Sequence, residues 1–218
     1  MKHFSENPVR PEEKKQFTED EFSKIPVESY YGTTLVSAVV GKDFTLGFQI
    51  GDGSLVAVFE DGETVMIMDY EESSPANITA SMCNKNAPYL FNHFYTNRKK
   101  ILALFVSTDG LYTSFRSDED FLDYHSILAN QLANINAFSP SIRKNLSKRA
   151  KSGTQDDTSL ACVFDCEVLA EKLEDLKEQV EVNKIHASMR KAEHKARMEK
   201  QKFKNALNQA QYEENSAE

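Results

Sequence analysis

Cysteine is scarce in this chain: Cys83, Cys162 and Cys166 are the only three in 218 residues. Three are too few for a disulfide framework, and none forms a C-x-x-C pair with metal-site spacing, so a reducing compartment is the simplest setting. Long apolar runs are missing as well. No stretch approaches the ~20 apolar residues needed to cross a bilayer, and the opening MKHFSENPVRPEEKKQ has no apolar run after its charges. A soluble, cytoplasmic chain with no membrane partner is expected. Positive charge is also short: 26 Lys and Arg against 34 Asp and Glu give a net charge of -8. That balance argues against a nucleic-acid partner for the chain as a whole. No Ser or Cys carries a recognisable nucleophile motif, and His3, His93, His125, His186 and His194 show no ligand spacing. His93 and His125 read as surface or partly buried structural residues.

With 40% apolar content the chain can bury one ordinary core, so one domain with an appendage is expected. Residues 1–28 form a polar lead-in with one short helix near Thr18 to Lys24. From Gly32 the texture changes. Thr33 to Val40, Phe44 to Ile50, Ser54 to Phe59 and Thr64 to Met68 read as four strands of an antiparallel meander, joined at Gly41-Lys42-Asp43, Gly51-Asp52-Gly53 and Asp61-Gly62. Tyr70 to Arg98 reads as loop with one or two short strands. Ile101 to Val106 is a continuous apolar run that suits a central strand covered on both faces.

Ser117 can cap a helix whose apolar positions are Phe121, Tyr124, Leu128 and Leu132. Ser139-Pro140 predicts the start of a second helix, with proline at its first position. Gly153 to Asp157 predicts a turn and Thr158 to Phe164 the last strand. Residues 29–165 form the domain, and 166–218 differ in kind. Glu167 to about Gln211 has no Gly or Pro and reads as one long charged helix. Leu169, Leu173, Leu176 and Val180 recur at four-three spacing, and the pattern resumes at Ile185, Met189, Ala192 and Ala196. A coiled coil or helical hairpin, and self-association through it, is one expectation; a solvated trailing helix is the other.

Three Asp-containing loops follow predicted strands: Gly51-Asp52-Gly53, Thr108-Asp109-Gly110 and Gln155-Asp156-Asp157-Thr158. Clustered Asp oxygens suit hard cations such as Mg2+ or Mn2+, although a single Asp-Gly is more often a turn than a ligand. Order and context add weight. Gly32-Thr33-Thr34, Ile50-Gly51-Asp52-Gly53, Ser107-Thr108-Asp109-Gly110-Leu111 and Asp156-Asp157-Thr158-Ser159 together resemble the metal-dependent protein phosphatases of type 2C (the PPM family). The stretch LGFQIGDGSLVAVFEDGE is similar to the bacterial branch of that family.

The resemblance spans about Gly32 to Phe164. It implies an α+β fold, a partial PPM-type antiparallel β-sandwich flanked by helices and followed by the long C-terminal helix. It also implies metal-dependent hydrolysis of phosphoserine or phosphothreonine with Mg2+ or Mn2+ as cofactor. Asp109 and Asp156 would be metal ligands, Asp52 would lie near an accessory metal position, and Asp157 would support them. Thr113 stands where relatives often place another Asp. The family's opening strands, its phosphate-holding arginine and its metal-bridging Asp find no match; Arg10 is followed by no strand and no Asp-Gly. A domain incomplete or inactive as this chain alone is therefore expected, with a phosphoprotein substrate or regulatory protein as partner. The alternative is a noncatalytic phosphatase-like scaffold that associates through its C-terminal helix. A third reading takes the Asp-Gly loops as turns of an unrelated β-rich domain.

Overall fold

A computed structural model describes residues 11–15, 18–24, 32–67, 79–97 and 100–215. Two short helices, α1 (Pro11–Lys14) and α2 (Glu19–Lys24), lie in the lead-in. Thr18 and Glu21 cap α2 reciprocally. The Thr18 hydroxyl oxygen accepts from the Glu21 N–H at 3.2 Å, and the Glu21 carboxylate accepts from the Thr18 N–H at 2.9 Å.

The strands form two antiparallel sheets, and helices complete the expected α+β fold. One sheet has the order β1-β2-β5, from β1 (Leu35–Val40), β2 (Thr45–Ile50) and β5 (Asn92–Thr96). The other has the order β4-β3-β6-β7, from β3 (Ser54–Phe59), β4 (Thr64–Met66), β6 (Ile101–Ser107) and β7 (Leu160–Phe164). The predicted four-strand meander is therefore two hairpins in different sheets. Gly51-Asp52-Gly53 carries the chain from one layer to the other. Gly51 adopts φ +100°, a conformation open to glycine. The physical reason for the split lies in β3. All six of its residues are buried, as in a central strand covered on both faces, and it pairs with the equally apolar β6.

The core has two compartments. Leu55, Ala57, Phe59 and Leu104 fill the space between the sheets with Val36, Ala38 and Phe94. Val56, Val58, Phe105, Phe121, Leu128 and Leu132 fill the space between the second sheet and the helices. After α3 (Asp109–Tyr112), helix α4 (Asp118–Gln131) begins as predicted: the Ser117 hydroxyl accepts from the Asp120 N–H. Helix α5 (Ile135–Ser152) begins earlier than Ser139-Pro140 suggests. Asn134 caps it by accepting from the Ala137 N–H at 3.2 Å, which leaves Pro140 inside the helix. Sequence favoured the proline because it suits a first turn, but the competing Asn cap five residues ahead of Ser139 prevails.

Helix α6 runs unbroken from Cys166 to Asn215, and Asp165 starts it by accepting from the N–H groups of Glu167 and Val168. Val168, Leu169, Leu176 and Val180 are buried and Leu173 half-buried, so the first four-three stripe faces the body. Further along, Arg190 pairs with Asp120 and Asp123 of α4. Residues 191–205 are exposed. Among the described residues no helix is long and apolar enough to cross a membrane. On the side where β1 and β7 end their sheets, Val40 and Val163, which share a face with inter-sheet core residues, stay exposed.

Candidate metal centre

Strand register decides where the three Asp loops go. Ser54 of β3 pairs with Ser107 of β6, and Ser107 pairs with Leu160 of β7. The start of β3, the end of β6 and the start of β7 are thus side by side. Asp52 precedes the first, Asp109 follows the second and Asp156 precedes the third, so all three emerge at one end of the sandwich. A cleft of about 360 Å³ opens there, lined in part by Thr34, Val36, Asp52, Thr108, Asp109 and Leu160.

The loop after β6 is laced to the loop before β7. The Thr108 hydroxyl donates to the Asp157 carbonyl at 3.2 Å and accepts from the Ser159 N–H at 3.0 Å. These bonds explain why β7 begins at Leu160 and not at Thr158: Ser159 is engaged by Thr108. Gly110 is pressed against the same carbonyl, and a methyl group there would come 2.5 Å from the Asp157 oxygen and 3.4 Å from the Asp156 Cβ. The Thr154 hydroxyl donates to the Gly110 carbonyl at 3.4 Å, and the intervening Gln155 adopts φ 60°. These threonines are a layer that sequence reasoning did not single out; their signal was no more than hydroxyls flanking each Asp.

Each carboxylate is oriented by a near neighbour. Asp109 accepts from the Gly110 N–H at 2.9 Å, Asp156 from the Asp157 N–H at 2.7 Å, and Asp52 from the Thr79 hydroxyl at 3.0 Å. Thr113 donates its hydroxyl and its N–H to the Asp109 carbonyl, so it secures the backbone and contributes no carboxylate. The Asp109 carboxyl titrates above its usual range. Burial is the main cause, repulsion from Asp52 comes next, and Asp156 adds to it against the opposing Gly110 N–H. Asp109 is thus the electrostatic centre of the three.

Oxygen donors that repel one another fit the chemistry of a hard divalent cation. The arrangement falls short in number. Among the described residues no three His, Cys, Asp or Glu side chains are grouped closely enough to hold a metal ion alone. Arg10 lies outside the described residues. Arg149 is occupied elsewhere, stacked 4.0 Å from the Phe115 ring centroid and donating to Ser114. His125 is completely buried and His93 exposed, and neither lines the cleft; the interior position of His125 goes beyond the surface or half-buried placement expected of it.

A sequence model of the family described as Protein phosphatase 2C matches residues 12–148, more than half of the chain. Among solved structures, the serine/threonine phosphatase Stp1 from Staphylococcus aureus aligns at 14% identity over 76% of this chain and 69% of its own, with a TM-score of 0.48. A bacterial serine phosphatase aligns at 15% identity over 60% of this chain and 57% of its own, with a TM-score of 0.45. A variant of a bacterial serine phosphatase aligns at 14% identity over 62% and 54%, with a TM-score of 0.43. The chain thus spans just over half the length of these last two. A search of curated proteins finds no match.

Proposed function

The chain belongs to the protein phosphatase 2C family, and from that premise we propose that its Asp109 end is one part of a metal-dependent centre for hydrolysing phosphoserine or phosphothreonine. The observation that carries this reading is electrostatic. Asp109 is pushed above its usual range by burial and by two other carboxylates that strand register brings to the same end. A divalent cation relieves that repulsion. Asp109 and Asp156 would hold Mg2+ or Mn2+, with Asp52 at an accessory position. The ion, when bound, neutralises charge on phosphoryl oxygens and acidifies water.

The chain's own residues orient and position. The Gly110 and Asp157 N–H groups each fix one oxygen of a carboxylate, which leaves the other oxygen open to a ligand. Thr108 ties the loop bearing Asp109 to the loop bearing Asp156. Three carboxylates share this end, but among the described residues no three are grouped closely enough to hold an ion alone, so the domain holds a divalent ion weakly. Efficient turnover therefore requires further ligands from outside these residues, contributed by another segment or chain. A phosphoprotein is the substrate in this reading. The setting is cytoplasmic and reducing, in keeping with three free cysteines, of which Cys162 and Cys166 are exposed.

The test is a calorimetric Mn2+ titration of the chain with a p-nitrophenyl phosphate assay on the same sample, and Asp109→Asn as control. Weak binding lost in the variant, with little turnover, is expected. Tight binding with full turnover would show a complete site. The absence of any Mn2+ binding would overturn the reading in favour of a noncatalytic scaffold that binds a regulatory protein or a second copy through α6. The observation favouring that second reading is the lack of a three-ligand group among the described residues.

A further inference from the structure

The outer half of α6 combines features that neither the body nor the Asp109 centre uses. Val182, Ile185, Met189, Ala192 and Ala196 alternate at three- and four-residue spacing, and Phe203 falls on the same row one heptad after Ala196. This stripe does not face the body: Ile185 is 60% exposed, Met189 57% and Phe203 73%. It is a separate seam from the inner one, whose Val168, Leu169, Leu176 and Val180 are buried.

Charge changes at the same place. Between Lys184 and Lys204 the helix carries eight Lys or Arg and two Glu, whereas the whole chain has a net charge of -8. The preceding segment, Glu167 to Glu181, carries six acidic and two basic residues. Within α6 the basic excess is thus confined to the exposed arm.

The fold also fixes where the arm points. β7 leads away from Asp156, and α6 starts at its far end. α4 starts shortly after Asp109 and runs back along the second sheet. Arg190 meets α4 at Asp120 and Asp123, in its first two turns. Residues beyond Arg190 therefore leave the body beside the start of α4.

We propose that residues 182–203 of α6 dock an acidic amphipathic helix of a partner protein. The narrow heptad seam fits a helix, because each apolar side chain can insert between four residues of a facing helix. The basic flanks select acidic residues on that helix. A second copy of this arm fits less well. Parallel self-pairing sets Lys195 beside Lys200 of the other copy, and pairing arm to arm in either direction brings two equally basic segments together. An anionic membrane would attract the charge but not the seam. Interfacial helices present a broad, bulky apolar face, and here Ala192 and Ala196 occupy the middle of the stripe.

The test uses the full chain and two labelled synthetic heptad peptides with Leu on their seams, one flanked by Glu and one by Lys, read by fluorescence anisotropy. The Glu-flanked peptide should bind at low salt, and at least about tenfold more tightly than the Lys-flanked one. Met189→Lys adds a favourable charge but breaks the seam, and should weaken binding about tenfold or more with helix content by circular dichroism unchanged. Lys195→Glu with Lys202→Glu should weaken it similarly while leaving the seam intact. Equal binding of both peptides, no binding, or no effect of Met189→Lys would overturn the proposal. So would a doubling of mass in sedimentation that Met189→Lys abolishes, which would identify a second copy as occupant. Binding to phosphatidylglycerol vesicles without binding to the acidic peptide would identify a membrane surface instead. No metal enters these measurements, so their failure leaves the reading of the Asp109 centre untouched.

Discussion

Gly110 lies against the main-chain carbonyl of Asp157 so closely that an added methyl group would stand 2.5 Å from its oxygen. That contact joins the loop bearing Asp109 to the loop bearing Asp156. Gly110→Ala must therefore push the two loops apart. A destabilisation of roughly 1–3 kcal/mol, typical of overpacking, is expected in urea denaturation. Mn2+ affinity measured on the same protein should fall with it. An unchanged midpoint would mean that the loops part without cost.

Asp109→Asn separates stability from function. The Asp109 carboxyl is raised by burial first and by Asp52 next, so its ionised form is disfavoured in the folded state. A carboxyl raised on folding contributes stability below its unfolded value, and that contribution is lost as pH rises through the folded one. At neutral pH the charge therefore works against the metal-free fold. Asn keeps an oxygen to accept from the Gly110 N–H and removes the repulsion. The variant should melt slightly above the parent in chelator at pH 7, and should lose the stabilisation that Mn2+ gives the parent. A lower melting temperature in chelator would show that the charge is compensated in the apo state.

These contrasts mark how far the sequence could be read. Apolar, β-branched runs bounded by turn residues identified the strands, and the Ser117 cap with Phe121, Tyr124 and Leu128 identified α4, because those signals are local. The assignment of β1-β2 and β3-β4 to different layers was not local. It depends on β3 finding β6, some 45 residues later, which no turn residue records. The Asp loops were legible as motifs, yet their common placement follows from the Ser54–Ser107–Leu160 register. The lacing by Thr108 and Thr154 was invisible, since a threonine beside an Asp reads the same whether or not its hydroxyl bridges two loops.

Arg190 holds the middle of α6 to the body. Its guanidinium donates to Asp120 at 3.0 Å and also to Asp123, and its side chain is 31% exposed. Arg190→Ala leaves two carboxylates near the start of α4 without this partner. A loss of roughly 1–3 kcal/mol, in the range for a hydrogen bond to a charged group, is expected. Hydrogen exchange offers the sharper readout. Amides from about Val182 to Ala192 should exchange faster, while those around Leu169 and Leu176, anchored by burial, should not. Equal acceleration along the whole helix would mean that Arg190 supports the inner packing as well.

His125 makes the fold acid-sensitive. Its ring is fully buried among Phe105, Phe121 and Tyr124, with centroids at 5.2, 4.5 and 5.7 Å. Nδ1 lies 2.8 Å from the Phe121 carbonyl and donates to it; Nε2 has no partner among the described residues. Burial lowers its pKa from 6.5 to about 4, with the Phe121 bond opposing and Arg149 assisting. Between those values the unfolded chain binds a proton that the folded chain refuses. Stability from the neutral ring is thus fully present above about pH 6.5 and is lost as pH falls toward 4. The loss amounts to roughly 3 kcal/mol at the acid limit. His125→Leu should flatten the dependence of the urea midpoint on pH between 7 and about 4.5, leaving the slope due to carboxylates. If the variant and the parent lose stability in parallel over that window, proton uptake by His125 is not what weakens the fold in acid.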